Sequence, residues 1–99
     1  MITEAINIIE IYAVRGQGQA LESPIAALAK ELQSAMGCIS YHATRSPANA
    51  DLWIVTGQWA SEVAMEEHYK HPALNGVMRL LGCHAVNRIS VSSFFKTVA

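Results

Sequence analysis

The chain has 99 residues, of which 52% are hydrophobic and 15% are charged, and its formal net charge is −1. This length fits one domain over residues 1–99, and seven scattered lysines and arginines argue against nucleic acid as a partner. The apolar share is high for a small monomer, which favours an oligomer that buries a second surface.

The start of the chain carries Glu4 and lacks the basic beginning and the cleavage pattern of a secretory signal. No apolar run approaches the roughly 18 residues that a membrane-spanning helix needs. Cys38 and Cys83 show neither metal-ligand spacing nor a disulfide framework. We therefore expect a cytoplasmic protein with reduced cysteines and no membrane partner.

The first predicted element is a strand over residues 3–14, because apolar residues occupy both of its alternating faces. Such a pattern is typical of a strand that is buried on both sides, and the polar stretch RGQGQ ends it. One face carries Asn7, Ile9, Ile11 and Ala13, and the other carries Ile6, Ile8, Glu10, Tyr12 and Val14.

The segment SPIAALAKELQSAMG predicts a helix with a single apolar stripe. Ser23 suits the N-cap, Pro24 suits the first helical position, and Gly37 suits the left-handed residue that ends a helix. The helix could also begin a turn earlier, near Gln19.

Two strands, CISYHATR and LWIVTGQW, lie on either side of the turn signal SPANAD. Ser61 then suits the N-cap of a helix of about ten residues. Pro72 and Gly82 bound a further short helix, and residues 83–95 return to strand character. One face of the second of the two strands carries Trp53, Val55, Gly57 and Trp59.

The resulting order is β-α-β-β-α-α-β, the split βαβ or ferredoxin-like pattern of the α+β class. It predicts a four-stranded antiparallel sheet of strand order 4-1-3-2 with the helices on one face. The second and fourth strands then lie at opposite edges, about 14 Å apart, so Cys38 and Cys83 of one chain are too far apart for a disulfide. Because the first strand is apolar on both faces, we predict a homodimer in which a second copy covers the open sheet face.

The segment GCISYHATRSPANADLWIVTGQWASEVAMEEHYKHP resembles the antibiotic biosynthesis monooxygenase superfamily. The matching features are Gly37 and Cys38 after the first helix, Tyr41 three residues on, the RSPANAD turn, a strand that ends in Trp59, and His68 nine residues after that tryptophan. With the element order, the resemblance covers nearly the whole chain and implies a dimeric α+β barrel.

The resemblance implies insertion of oxygen into a small aromatic quinol or phenol, with the substrate itself as the reductant. It implies neither a metal nor a flavin, and the chain carries no Gly-rich dinucleotide fingerprint. The ring would bind in a dry pocket between the sheet and the helices, lose a phenolic proton, and be stabilised as an anion. Non-catalytic binding of a small molecule by the same homodimer is the alternative function.

Trp59 and His68 are the candidate catalytic residues. The resemblance implies that Trp59 borders the pocket, although a tryptophan here could simply pack against the second helix. His68 lies beside the apolar stripe of that helix and could accept a phenolic proton near neutral pH. The other interpretation is a half-exposed histidine that is bonded to a backbone carbonyl or to Glu66 or Glu67.

Asn7, His42, Trp53 and Val55 are the candidate substrate-binding residues. Trp53 and Val55 share the strand face of Trp59. Asn7 and His42 are polar residues in apolar strands, so each could line the pocket or face a partner subunit.

No metal site is predicted. His68 and His71 are spaced to share a helix face, but a third ligand is not evident and Pro72 should break the helix after His71. Haem degradation is not favoured, because His68 occupies the position of the helical tryptophan in the haem-degrading branch and Met78 falls near that of the haem ligand. Val55 stands where the polyketide oxygenases of the superfamily have an asparagine.

Overall fold

The computed structural model describes residues 2–75, 79 and 84–98. Within them lie two helices and two 3-10 turns, the latter over Gln19–Leu21 and Pro72–Leu74. The helices are α1 (Glu22–Gln33) and α2 (Glu62–His68), and the strands are β1 (Ile2–Ala13), β2 (Cys38–Arg45), β3 (Leu52–Trp59) and β4 (Val86–Val98).

The strands form one antiparallel sheet of order β2-β3-β1-β4. This is the predicted strand order, and the α+β ferredoxin-like fold class is confirmed. The central pair is β1 and β3, in which Asn7 lies opposite Gly57 and Ala5 lies opposite Trp59. On the other side of β1, Asn7 lies opposite Ser93 of β4.

The two faces of the sheet differ in burial. Asn7, Ile9 and Ile11 of β1 point toward the helices and are buried. Ile6 and Ile8 point to the other face, where they are only partly buried. The prediction of a strand buried on both sides therefore holds for one face of the single chain, and the second face is left open.

Helix α1 begins before the predicted cap. Gly18 and Leu21 already have helical backbone angles, so the 3-10 turn leads directly into the helix at Glu22. Ser23 therefore falls inside the first turn, and its prediction as the N-cap is wrong; the alternative start near Gln19 is the better one. Gly37 has the predicted left-handed backbone, with a φ of +80°, but α1 ends at Gln33, so Gly37 lies in the turn before β2 and does not end the helix. A Cβ there would approach the Cβ of Ala64 to 2.5 Å.

Helix α2 begins as predicted. Ser61 is extended, and its hydroxyl oxygen accepts a hydrogen bond from the backbone N–H of Ala64 at 3.1 Å. The helix has seven residues, shorter than predicted, and ends at His68. The 3-10 turn at Pro72–Leu74 starts where a further helix was predicted. Apart from Asn75 and Arg79, the rest of that predicted helix, with Met78 and Gly82, lies outside the described residues, as does Cys83.

The hydrophobic core lies between the helices and the inner sheet face. It joins Ile25, Leu28 and Leu32 of α1 to Met65 of α2 and to the inward residues of the strands. Neither described helix is both long and apolar enough to cross a membrane.

Candidate functional site

Trp59 and His68 form a stacked pair at the end of β3. Their ring centroids are 4.1 Å apart and their planes are inclined by 27°. Trp59 is fully buried and His68 is 3% exposed. Ser61 starts α2 two residues after the strand ends, so two helical turns bring His68 back over the tryptophan.

A chain of two hydrogen bonds links Trp59 through Asn7 on β1 to Tyr41 on β2. The indole N–H of Trp59 donates to Oδ1 of Asn7 at 2.8 Å. The amide Nδ2 of Asn7 then donates to the hydroxyl of Tyr41 at 3.0 Å. The Tyr41 ring also makes edge contacts with Trp59 and with His68, at centroid distances of 6.1 and 6.0 Å. Four buried side chains from three strands and one helix therefore meet at one point.

Gly57 makes room for this cluster. It lies between Asn7 on β1 and Tyr41 on β2 in the strand register. A Cβ at this position would reach Oδ1 of Asn7 and come within 2.5 Å of Cε2 of Tyr41. The lack of a side chain is what lets the tyrosine ring lie across β3 toward Asn7.

The two ring nitrogens of His68 have different environments. Nδ1 is bonded to the backbone carbonyl of Met65, one turn earlier in α2. Because a carbonyl oxygen can only accept, Nδ1 carries the proton and Nε2 holds the lone pair. Nε2 is buried and has no hydrogen-bond partner among the described residues. The site therefore contains a buried basic nitrogen to which no described residue forms a hydrogen bond.

The shifts in the pKa values of His68 and Tyr41 keep both side chains neutral. Burial lowers the pKa of His68 from 6.5; the Met65 carbonyl partly opposes this, and His71 lowers it further. Burial raises the pKa of Tyr41 to about 12, against the effect of the hydrogen bond from Asn7. At neutral pH, His68 is therefore a base ready to accept a proton and Tyr41 is an un-ionised phenol.

Tyr69 contacts the cluster from the solvent side. Its ring lies 4.4 Å from that of His68, at an angle of 37°. Its hydroxyl is 2.7 Å from Oγ of Ser93 on β4. Tyr69 is 37% exposed, so the cluster is buried beneath a partly exposed residue.

Three of the cavities lined by described residues border the cluster. One of about 570 Å³ lies against Tyr41, between α1 and β2, and the remaining two touch Trp59 and His68. One, of about 120 Å³, touches Trp59 together with Ala5, Ile39 and Gln58 at the end of the sheet. The other, of about 230 Å³, touches His68 and lies between α2 and the segment after α1, where Met36 lines it.

The predicted site residues are distributed over both sheet faces. Asn7 lies on the inner face, which the helices cover, and it bonds to Trp59. Of the two predicted alternatives, its side chain therefore points toward the interior and not toward a partner subunit. Val55 and Trp53 lie on the same face, where both are buried in the core. The Trp53 indole donates to the carbonyl of Gly18 at 2.7 Å, which directs it away from the cluster. His42 lies on the open face, where it is exposed, so the structure does not bring it together with the others.

Tyr41 is the cluster residue that was not among the predicted site residues. The available signal was strand alternation, because Tyr41 must point to the opposite face from its neighbour His42. Its pairing with Gly57 depends on strand register, which the local pattern does not specify.

Within the described part of the chain, no group of three or more His, Cys, Asp or Glu residues is placed to hold a metal ion. His68 and His71 are both present there, and His71 contributes to the electrostatic environment of His68.

The fold and the buried cluster define a small α+β protein with a four-stranded antiparallel sheet and an internal polar site beneath its helices. Residues 5–79 match the family model for antibiotic biosynthesis monooxygenase. Because this match spans most of the chain, the protein belongs to the antibiotic biosynthesis monooxygenase family. The family resemblance of the sequence is therefore confirmed.

Solved structures show the same fold at low sequence identity. PA3566 of Pseudomonas aeruginosa is 21% identical with a TM-score of 0.82, over 99% of this chain and 98% of that one. SO0527 of Shewanella oneidensis is 17% identical with a TM-score of 0.84, over 100% and 96%. A Deinococcus radiodurans protein described as a candidate antibiotic biosynthesis monooxygenase is 17% identical with a TM-score of 0.83, over 96% and 94%. No curated protein matches the chain by sequence.

Proposed function

We propose that this protein is a cofactor-independent monooxygenase that oxidises a small aromatic quinol or phenol with O2, with Nε2 of His68 as the proton acceptor. The observation that carries the proposal is the state of that nitrogen, which is buried, unprotonated and unpartnered among the described residues. Membership of a family of monooxygenases supports the reaction class.

In the first step, a substrate hydroxyl donates its proton to Nε2 of His68. A phenol has a pKa near 10 and an imidazolium has one near 6.5, so this transfer costs about 5 kcal/mol. Burial lowers the pKa of His68 and increases that cost. The ion pair that forms must therefore be stabilised within the site.

Two effects can offset the cost of proton transfer. The face of Trp59 against the imidazolium gives a cation–π interaction of about 1–2 kcal/mol. Attraction between imidazolium and substrate anion at a separation near 4 Å adds about 4 kcal/mol at an effective dielectric constant of ~20. Burial of the cluster excludes water and so preserves both effects.

The substrate anion then reacts with O2. Electrons pass from the ring to O2, and a C–O bond forms at a ring carbon beside the oxygen-bearing carbon. The resulting peroxide anion takes up the proton from His68. Its O–O bond then breaks together with the C–H bond at the same carbon, so that hydroxide and the released proton leave as water and the carbon becomes a carbonyl. One hydroquinone and one O2 thus give one hydroxyquinone and one water, and the substrate supplies all four electrons.

Oxygen uptake tests the proposal directly. A panel of hydroquinones and phenols is incubated with metal-stripped protein, and isotopically labelled O2 is followed into product and water. We expect uptake above autoxidation, with one labelled oxygen in the product and one in water. In His68→Gln the rate should fall by a factor of about 10² or more, the usual contribution of a general base.

His84→Gln is the matched control, since His84 is exposed in the turn before β4. It should retain the wild-type rate. Uptake by the wild type that does not exceed autoxidation with any substrate would reject the monooxygenase proposal. Full activity in His68→Gln would reject the role of His68 alone.

Non-catalytic binding of a small aromatic molecule is the second candidate function. It is favoured by the hydrogen bonds among Asn7, Tyr41 and Trp59, which already use polar groups that a reacting substrate would need. A ligand from the same panel that raises the melting temperature without oxygen uptake would support this function over the first.

We also propose that the protein is a cytoplasmic homodimer of single-domain subunits, joined through the open sheet face. A cleft of about 300 Å³ on this face is lined by Ile8, Glu10, Ile54, Ser92 and Phe94. Phe94 is 52% exposed there. A second copy of the chain would bury these apolar side chains.

A further inference from the structure

The imidazole of His68 has an aromatic ring on each side. Trp59 stacks on it at 4.1 Å and Tyr69 lies against it at 4.4 Å. No ring contact joins Trp59 to Tyr69 in the described part of the structure, so the two contact different sides of the imidazole. Both faces of the His68 ring are therefore occupied.

The Tyr69 ring is held at both of its ends. Its backbone forms the C-cap of α2, and its backbone N–H donates to the carbonyl of Glu66 at 3.2 Å. Its hydroxyl bonds to Ser93 of β4, the residue opposite Asn7 in the strand register. Tyr69 thus contacts both helix and sheet, in addition to packing its ring against His68.

We propose that Tyr69 is a positioning residue: together with Trp59 it clamps the His68 ring so that a substrate hydroxyl can reach Nε2 only at the ring edge. The lone pair of Nε2 lies in the ring plane, and a hydrogen bond is strongest along that direction. Nδ1 is already bonded to the Met65 carbonyl. The clamp therefore leaves the buried Nε2 edge as the part of the imidazole that no described residue bonds, and it fixes the direction of the Nε2 lone pair.

The role of Tyr69 in catalysis rests on the proposed monooxygenase function, whereas the ring contacts that form the clamp are present in the ligand-free protein. Among the described residues, the titratable groups around His68 are Tyr41 from β2, and Glu67, Tyr69, Lys70 and His71 from α2 and the residues after it. The β1 and β3 residues in contact with the cluster, Asn7 and Trp59, do not titrate. Loss of the Tyr69 ring would thus change the surroundings of the His68 imidazole mainly by admitting water.

Nitrogen NMR of the ligand-free, full-length protein tests the clamp. The wild type should show His68 as the single Nδ1–H tautomer. In Tyr69→Leu, which removes the ring, we expect a mixture of tautomers and a His68 titration shifted upward toward that of a solvated imidazole. Tyr69→Phe and Ser93→Ala keep the ring and each remove one partner of the hydroxyl bond, so both should stay close to wild type. His84→Gln assists the assignment of the histidine signals.

Two results would overturn the clamp. One is a Tyr69→Leu protein whose His68 tautomer and titration match the wild type. The other is a Tyr69→Phe or Ser93→Ala protein that changes as much as Tyr69→Leu, because the hydroxyl bond rather than the ring would then be responsible. Should Tyr69→Leu fail to fold, Tyr69→Gln provides the same readouts.

Activity gives a separate readout. With an active quinol, Tyr69→Leu should lower kcat by about 10- to 100-fold, the usual effect of misplacing a catalytic group, and Tyr69→Phe should restore it. Unchanged kcat in Tyr69→Leu, despite altered NMR of His68, would overturn the role in catalysis. An inactive wild type with the expected NMR would reject the monooxygenase function and leave the clamp standing.

Discussion

The side chains of Asn7 and Trp59 meet across adjacent strands, where the indole N–H donates to the amide oxygen at 2.8 Å with both residues fully buried. The two residues are 52 positions apart in the chain. Through its Nδ2, Asn7 also reaches Tyr41, so one buried amide satisfies the polar groups of two aromatic rings. The stability of the site should therefore depend on Asn7.

We expect Asn7→Leu to destabilise the protein, because it leaves the Trp59 indole N–H and the Tyr41 hydroxyl without this partner. Each buried polar group that loses its partner costs about 1–3 kcal/mol. The free energy of unfolding from urea titration measures the change. Thr56→Ala, on the open face of β3, is the control and should have a much smaller effect. An Asn7→Leu protein as stable as wild type would contradict the importance of these bonds.

Gly57→Ala should disturb the same cluster by adding volume rather than by removing a bond. The new Cβ would press against Oδ1 of Asn7 and approach Cε2 of Tyr41 to 2.5 Å. Overpacking in a core costs about 1–3 kcal/mol, and the Tyr41 ring would have to shift. Urea unfolding measures the cost, and near-ultraviolet circular dichroism reports the ring. An unchanged signal and midpoint would show that the ring does not depend on this close approach.

Tyr41 should make stability fall at alkaline pH. Burial raises its pKa from 10.0 to about 12, so the folded state favours the neutral phenol. The stabilisation is complete below pH 10, where the unfolded tyrosine is also neutral, and is lost as the pH rises from 10 to 12. The loss is at most about 1.4 kcal/mol per pH unit. Tyr41→Phe should lack this part of the pH dependence, and identical alkaline slopes in the two proteins would contradict it.

His68 should make stability fall at acid pH. Burial lowers its pKa from 6.5, so between the folded and unfolded pKa values the unfolded chain binds more protons. The contribution is present above pH 6.5 and is lost as the pH falls through the folded pKa. The slope is at most about 1.4 kcal/mol per pH unit. Unfolding of wild type and His68→Gln from pH 7 to pH 5 measures it; parallel curves would argue against a buried neutral imidazole.

The proposed homodimer can be tested with two neighbouring phenylalanines. Phe94 and Phe95 are 52% and 51% exposed, but successive residues of β4 point to opposite sheet faces. We expect Phe94→Lys to give a monomer, since it places a charge in the interface, and Phe95→Lys to remain dimeric. Sedimentation at micromolar concentration measures both. A monomeric wild type, or equal effects of the two substitutions, would reject the open face as the interface.

Local sequence signals were sufficient for several features that depend on neighbouring residues. Strand alternation placed Trp53, Val55 and Trp59 on one face, and the Ser61 hydroxyl marked the start of α2. The order of elements led to the correct sheet order, since short antiparallel connections allow few arrangements. The same local reasoning was wrong at Ser23, because the preceding 3-10 turn had already begun the helix.

The sequence by itself determined the α+β fold, the family resemblance, and the presence of a tryptophan and a histidine within reach of each other. Only the tertiary structure decided which face Asn7 takes, that His42 lies on the other face, and that Tyr41 joins the cluster. It also decided that the Nδ1 bond of His68 leaves Nε2 unpartnered among the described residues. These features depend on strand register and on buried contacts between distant parts of the chain. Asn7 is 34 positions from Tyr41 and 52 positions from Trp59, and no local pattern specifies such contacts.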